Sequence, residues 1–249
     1  MRGASAVRPA STARPRALLI AGIAFLVVFV GMGAAVLADP AKPWSQGIDD
    51  AWRSAVGVGP DSPLPGSPVA MFFQQLGQLP GMIVFALVLP IVLVALGRWR
   101  SAIFVFLLQL AGPGLVSQLA KNLVNRPRPA ADEAAGLFGP LFTVDHGSFP
   151  SGHAVSAAVA AVTILALIPP ARRGLRAVGF VVAAILLIGI VWQRTLINAH
   201  WFSDTIAGIL AGLGVGLLLQ WAFWPGLQRD FARRPGFARG RARAEHPAT

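Results

Sequence analysis

Apolar residues run in six long blocks along this chain, at 17–38, 79–97, 101–120, 154–168, 177–193 and 205–224. Charged, Pro-bearing or Gly-bearing connections close each block. A helix crossing a bilayer needs about 20 apolar residues, within a range of about 17–25. Four blocks meet that length easily and 177–193 just meets it. Block 154–168 is short unless 151–153 also belong to it, which sets His153 in the first helical turn. The pattern predicts an all-α fold, a polytopic membrane helix bundle with six transmembrane helices. The first block follows an Arg-bearing leader, but it exceeds the about 7–15 residues of a signal-peptide core and reads as a retained anchor.

The connections carry their own pattern. In the first long one, 39–78, Trp44, Ile48, Trp52 and Val56 recur at helical spacing, with Asp49, Asp50 and Arg53 off that stripe. This predicts an interfacial helix lying on the membrane. Pro90 and Pro113 fall inside the second and third blocks and are expected to kink them. Gly208, Gly212 and Gly216 form a GxxxGxxxG ridge on the sixth, which favours close helix packing.

Composition agrees with a membrane protein. Of 249 residues, 55% are hydrophobic and 12% charged, against about 25% charged in a soluble domain. With no cysteine, disulfides and thiolate chemistry are excluded. The net charge of +11 does not point to nucleic acid, because the arginines fall in tails and short loops. Arg2, Arg8, Arg14 and Arg16 in the leader, Arg98 and Arg100, Arg172, Arg173 and Arg176, and the basic tail all lie on one side of a six-pass chain. The positive-inside rule makes that side cytoplasmic, with both termini. The layout is then a basic cytoplasmic leader (1–16), a six-span membrane domain (17–224) and a basic cytoplasmic tail (225–249). Connections 39–78, 121–150 and 198–203 face outward.

The unusual polar residues gather at that outer face, where the positive-inside bias disfavours cations. Lys121, Arg126 and Arg128 end the third block, Pro150-Ser151-Gly152-His153 opens the fourth, Arg194 ends the fifth, and His200 and Asp204 open the sixth. Any one of these has an ordinary structural reading as an interfacial anchor or a helix start. Their concentration at one face does not. Lys121, Arg128 and Arg194, with the N–H groups of a helix start and the Ser151 hydroxyl, describe a phosphate site. His200 and Asp204, four apart, share a helix face if the helix has begun by His200. The carboxylate can then fix the imidazole tautomer and leave the other nitrogen to attack, while His153 donates a proton to the leaving oxygen.

These stretches resemble the three-part signature of the type-2 phosphatidic-acid phosphatase family, which includes the vanadium haloperoxidases. Lys121 is followed after six residues by Arg128-Pro129, Pro-Ser-Gly-His occupies 150–153, and Arg194 is followed after five residues by His200 and after three more by Asp204. Gln193 stands where the family commonly has Ser. The resemblance implies that His200 is the nucleophile that becomes phosphohistidine, Asp204 its orienting partner and His153 the acid. Lys121, Arg128, Ser151, Gly152 and Arg194 then hold the phosphoryl oxygens, with no metal or other cofactor. Arg126 lies outside the matched positions and is not assigned to the site.

The substrate expected from this resemblance is a lipid phosphate whose tail stays in the bilayer of a bacterial cell membrane. Undecaprenyl pyrophosphate, phosphatidylglycerol phosphate and phosphatidic acid are the choices within the family, and the outward site favours the polyprenyl pyrophosphate. A lipid phosphotransferase is the alternative within the family. A transporter with a phosphate-binding vestibule is the alternative outside it, and calls for polar residues across the middle of several spans. Here they sit at one edge. Oligomeric state is not set by the sequence.

Overall fold

A computed structural model describes residues 13–140 and 147–232; Arg2, Arg8, Asp145 and the tail beyond Ala232 lie outside the described residues. Among the described residues the regular structure is helical, with one isolated bridge between Asp132 and Leu137. The helices, in chain order, are α1 (Arg16–Ala38), α2 (Gln46–Val56), α3 (Pro68–Leu76), α4 (Leu79–Ala95), α5 (Trp99–Val124), α6 (Gly152–Leu167), α7 (Arg173–Leu196) and α8 (Phe202–Ala232).

Four of them, α1, α5, α7 and α8, are each long and apolar enough to cross a membrane. Helices α3 and α4 pass the same test only as a pair, bent by 52°, which is a broken span or a re-entrant loop. The protein is a multi-pass membrane protein. The outward faces of α1, α4 and α7 are studded with exposed large apolar side chains, among them Val27, Val30, Leu87, Ile91, Val181 and Ile188. Such a surface suits lipid and not water.

Helix α6 differs. It has 16 residues, about 24 Å of helix against about 30 Å of hydrocarbon. Its Ala and Val side chains are buried in the bundle, including Ala154, Val155, Ala157, Ala158 and Val159. A helix apolar all round belongs in a core. It starts at Ser151, whose hydroxyl accepts from the Ala154 N–H as N-cap, so His153 does fall in the first turn.

Helices α6 and α8 meet along the glycine ridge. A Cβ on Gly208 would lie 2.5 Å from the Ser151 carbonyl oxygen, one on Gly212 2.6 Å from Ala158 Cβ, and one on Gly216 2.8 Å from Val162. Bare Cα atoms let the backbones approach. The Ser151 N–H donates to the Asp204 carbonyl at 3.0 Å, pinning the two helix starts together. On its other side α8 packs against α1, where Gly22 faces Gly214 and Leu218.

The two prolines act through widened turns. Residues Val84–Val88 and Leu110–Val116 are π-helical. Proline lacks an N–H and crowds the carbonyl four residues back, and a π-turn relieves both conflicts without ending the helix. The last helix runs on to Ala232 with Pro225 inside it, beyond the boundary at 224 that the sequence suggested. At that end Arg14 lies over the Trp221 ring, and Asp230 binds Arg100 and the Ser101 N–H. Both ends of the described chain therefore meet opposite the polar cluster.

Candidate active site

Lys121 is in the last turn of α5, His153 in the first turn of α6, Arg194 in the last turn of α7, and Asp204 in the first turn of α8. Four helix ends thus deliver the motif residues to one end of the bundle. His200 sits just before α8, in the turn that follows Asn198, a residue with φ of 52°. The short connection from α7 to α8 reverses there, a conformation Asn tolerates. The turn is held by Ala199 and His200 N–H groups donating to the Arg194 carbonyl.

His200 is buried. Its Nδ1 lies 2.8 Å from the Ser148 carbonyl oxygen, so Nδ1 carries the proton and donates it. Nε2 then accepts from Arg128 Nη1 at 3.2 Å. Asp204 approaches Nδ1 at 3.8 Å through Oδ2, an ion-pair distance and too long for a hydrogen bond. The sequence spacing allows an Asp204–His200 bond if the helix has begun by His200; α8 begins only at Phe202, so His200 lies outside the helix and its proton goes to Ser148. Burial, with Arg128, Arg194 and Lys121 nearby, pushes the His200 imidazole well below its ordinary range. Both causes disfavour the protonated ring.

Asp204 is itself held from three sides. Arg126 Nη1 donates to Oδ1 at 2.7 Å, the Ser148 hydroxyl donates to Oδ2, and the Trp201 N–H donates to Oδ2 at 3.1 Å. Arg126, which lies outside the motif, is 1% exposed. Its Nη2 also donates to Asp49 of α2 at 2.7 Å. Asp49 in turn accepts from the Ser203 N–H and hydroxyl, each at 2.8 Å. So α2 docks its acidic side onto the site. Trp44 and Ile48 of its apolar stripe stay exposed, while Trp52 stacks on Phe202 and donates to Thr195.

Sequence reasoning named Arg126 but left it out of the site, and it did not place Asp49, Ser148 or Gln74 there. Asp49 did carry a signal, an acid off the stripe of an amphipathic helix. Ser148 adjoins the Pro-Ser-Gly-His motif. Gln74 carries none. Its buried Oε1 accepts from Arg194 Nη1 and from Gln193 Nε2.

The remaining motif residues surround a shared space. Gly152 Cα faces Lys121 and the buried Ser117 hydroxyl. His153 Nε2 and Arg194 Nε are buried without a hydrogen-bond partner among the described residues. A cleft of about 450 Å³ opens from Lys121, Gly152 and His153 between α4, α5 and α6, and its walls include Met82, Ala86, Phe106, Leu110 and Pro113. A cationic head thus leads into an apolar flank. Among the described residues, no group of three or more His, Asp or Glu is placed to hold a metal ion.

Three comparisons bear on this geometry. The PAP2 superfamily profile matches residues 102–226. A lipid A 1-phosphatase from Rhizobium johnstonii (strain DSM 114642 / LMG 32736 / 3841) is 33% identical over 113 residues, 44% of this chain and 43% of that protein. This chain thus spans less than half the length of that curated relative. The crystal structure of a transmembrane PAP2-type phosphatidylglycerolphosphate phosphatase from Bacillus subtilis superposes with a TM-score of 0.60 over 80% of this chain and 93% of that one, at 22% identity. The profile match covers half of the chain and takes in each motif that builds the cluster, and the protein belongs to the PAP2 superfamily.

Proposed function

We propose that this protein is a membrane lipid phosphatase that hydrolyses a phosphomonoester or pyrophosphate on a lipid headgroup through a phosphohistidine intermediate. One observation carries the reading: a buried imidazole whose Nε2 accepts only from the phosphate-binding candidate Arg128, beside Lys121, Arg194 and an unpartnered His153 Nε2, at the head of an apolar cleft.

His200 Nε2 attacks phosphorus and the Ser148 carbonyl holds the Nδ1 proton in place. Asp204 lies close enough to stabilise the cation that forms, as a carboxylate does beside a catalytic histidine. Lys121, Arg128, Arg194, Ser151 and the Gly152 N–H bind the phosphoryl oxygens. His153 protonates the leaving oxygen, then takes a proton from the water that cleaves the phosphohistidine. The six-pass layout, with α6 as a short sixth span and the site on the outer face of a bacterial cell membrane, belongs to the same reading. So do α2 as an interfacial helix and a reaction needing no metal. Undecaprenyl pyrophosphate stays the favoured substrate on topology. The relatives' names add lipid A and phosphatidylglycerolphosphate to the panel.

The test is phosphate release by purified protein from each of these lipids and phosphatidic acid, with and without EDTA, and with acid-quench trapping of labelled enzyme. His200→Ala should abolish both turnover and labelling. His153→Ala should lose about 10²–10⁴-fold, with less loss on a substrate whose leaving group is more acidic. Full activity of His200→Ala refutes the mechanism. Loss with EDTA that Mg²⁺ restores refutes metal independence.

A further inference from the structure

The bend between α3 and α4 touches the site at three points, none of them in a sequence motif. Gln74 on α3 is 3% exposed. Its side-chain oxygen accepts from Arg194 Nη1 and from Gln193 Nε2, the latter at 2.9 Å. Its backbone lies beside the His153 imidazole. Gly77, where α3 ends, packs on that ring so closely that a Cβ would lie 2.3 Å from both Cγ and Cδ2.

The chemistry of these contacts is specific. Arg194 is buried with Arg128 close by, so its guanidinium needs an acceptor to fix its plane. A carboxylate there would cancel the charge that an anion needs. A neutral amide oxygen orients the group and leaves the charge intact. Gln193, which replaces the Ser common in the family, spends its own amide N–H on the same Gln74 oxygen and offers its carbonyl to Arg194 at 3.4 Å. Two neutral amides therefore frame one arginine. The Gln74 backbone meanwhile faces the imidazole from the side of the bend, and Gly77 closes over the ring. His153 keeps its Nε2 unpartnered.

We propose that Gln74 is a positioning residue for the phosphate-binding Arg194 and for the acid His153, which makes the bent α3–α4 pair part of the active site. This rests on the phosphatase reading above. The bend then does more than join two short apolar helices. It sets the geometry of two groups that the motifs supply but do not orient. Gln74 acts on binding through its side chain, and the bend acts on proton transfer through Gln74's backbone and Gly77. The two effects should separate.

The experiment uses the full chain purified in mixed micelles, with vanadate affinity measured directly by calorimetry alongside kcat, KM and melting temperature. Gln74→Ala should weaken vanadate binding and raise KM by about tenfold or more, the scale of one misdirected charge-assisted hydrogen bond, with kcat changed less. Gln74→Glu keeps the length and an acceptor but adds negative charge, and should weaken vanadate further still. Gly77→Ala should lower kcat, more for poor leaving groups than for good ones, with vanadate affinity within about threefold of the parent. Wild-type vanadate affinity and KM in a folded Gln74→Ala overturn the proposal. If that variant does not fold, Gln74→Glu decides, and unchanged or tighter vanadate binding overturns it. Vanadate binding by the parent without any phosphate release defeats the phosphatase reading instead, and the Gln74 variants still answer through binding alone.

Discussion

At the scale of single residues, Arg126 is the centre of the site's electrostatics. It is buried between Asp204 and Asp49, with both ion pairs at 2.7 Å. A buried pair gains little over an apolar substitute, but removing one partner strands the other. Arg126→Met leaves two buried carboxylates without their cation, and should cost about 3–5 kcal/mol of stability. Thermal melting in detergent measures this. Adding Asp49→Asn should restore part of it, and an Arg126→Met variant that melts like the parent would refute the network. His200 makes a second residue-scale prediction. Its imidazole is held well below the ordinary range by burial and by Arg128, Arg194 and Lys121. The unfolded chain takes up a proton near pH 6.5, about the ordinary imidazole value, and the native site refuses it. His200's contribution to stability is therefore present above that pH and lost as pH falls toward the depressed native value, by about 1.4 kcal/mol per unit of the window. His200→Asn should lose less melting temperature than the parent between pH 7.5 and 5, and an equal loss contradicts the assignment.

At the scale of elements, the contact between α6 and α8 decides whether the motifs meet. The Pro-Ser-Gly-His turn and the His200–Asp204 turn come together only because Gly208, Gly212 and Gly216 let two backbones touch. Gly212→Val forces atoms into the Val155 carbonyl, 2.7 Å from the Cβ position, and should destabilise by about 1–3 kcal/mol. Gly31 on α1 has nothing within 4 Å of its Cβ position, so Gly31→Ala should be neutral or stabilising through helix propensity. Melting both variants side by side tests the packing, since equal effects would mean that the ridge does not set the approach. The π-turns at Val84–Val88 and Leu110–Val116 belong to this scale too. Pro90 and Pro113 mark where a helix must yield, but a proline alone does not say whether it yields by kinking or by widening.

At the scale of the whole molecule, the four motif-bearing helix ends share one end of the bundle, and Arg14, Arg100 and Asp230 meet at the other. The arginine distribution predicts that this second end faces the cytoplasm. The chain has no cysteine, so Ala135→Cys provides a single thiol in the 121–150 connection. An impermeant thiol reagent should label it in intact cells, and labelling only after lysis would reverse the orientation. The exposed apolar faces of α1, α4 and α7 are then the bilayer contact, and the cleft beside His153 opens among helices that face lipid.

Periodicity and spacing alone determined the helical class, the places of all the long apolar blocks and the positions of Lys121, Arg128, His153, Arg194, His200 and Asp204. Those properties are local: hydropathy along a helix and fixed intervals along the chain survive in one dimension. The sequence also allowed His153 in the first turn of its helix, since block 154–168 is short without 151–153, and the fold starts that helix at Gly152 with Ser151 as its cap. Helix α3 escaped it, since nine residues bent against α4 make no span-length block. Which group takes the His200 proton was settled only by the fold, because α8 starts after His200 and brings the Ser148 carbonyl closer than Asp204. The roles of Arg126, Asp49 and Gln74 were likewise beyond the sequence. Each bonds a partner about 80 to 154 residues away, and such pairings depend on how helix ends converge in space, which no interval along the chain encodes.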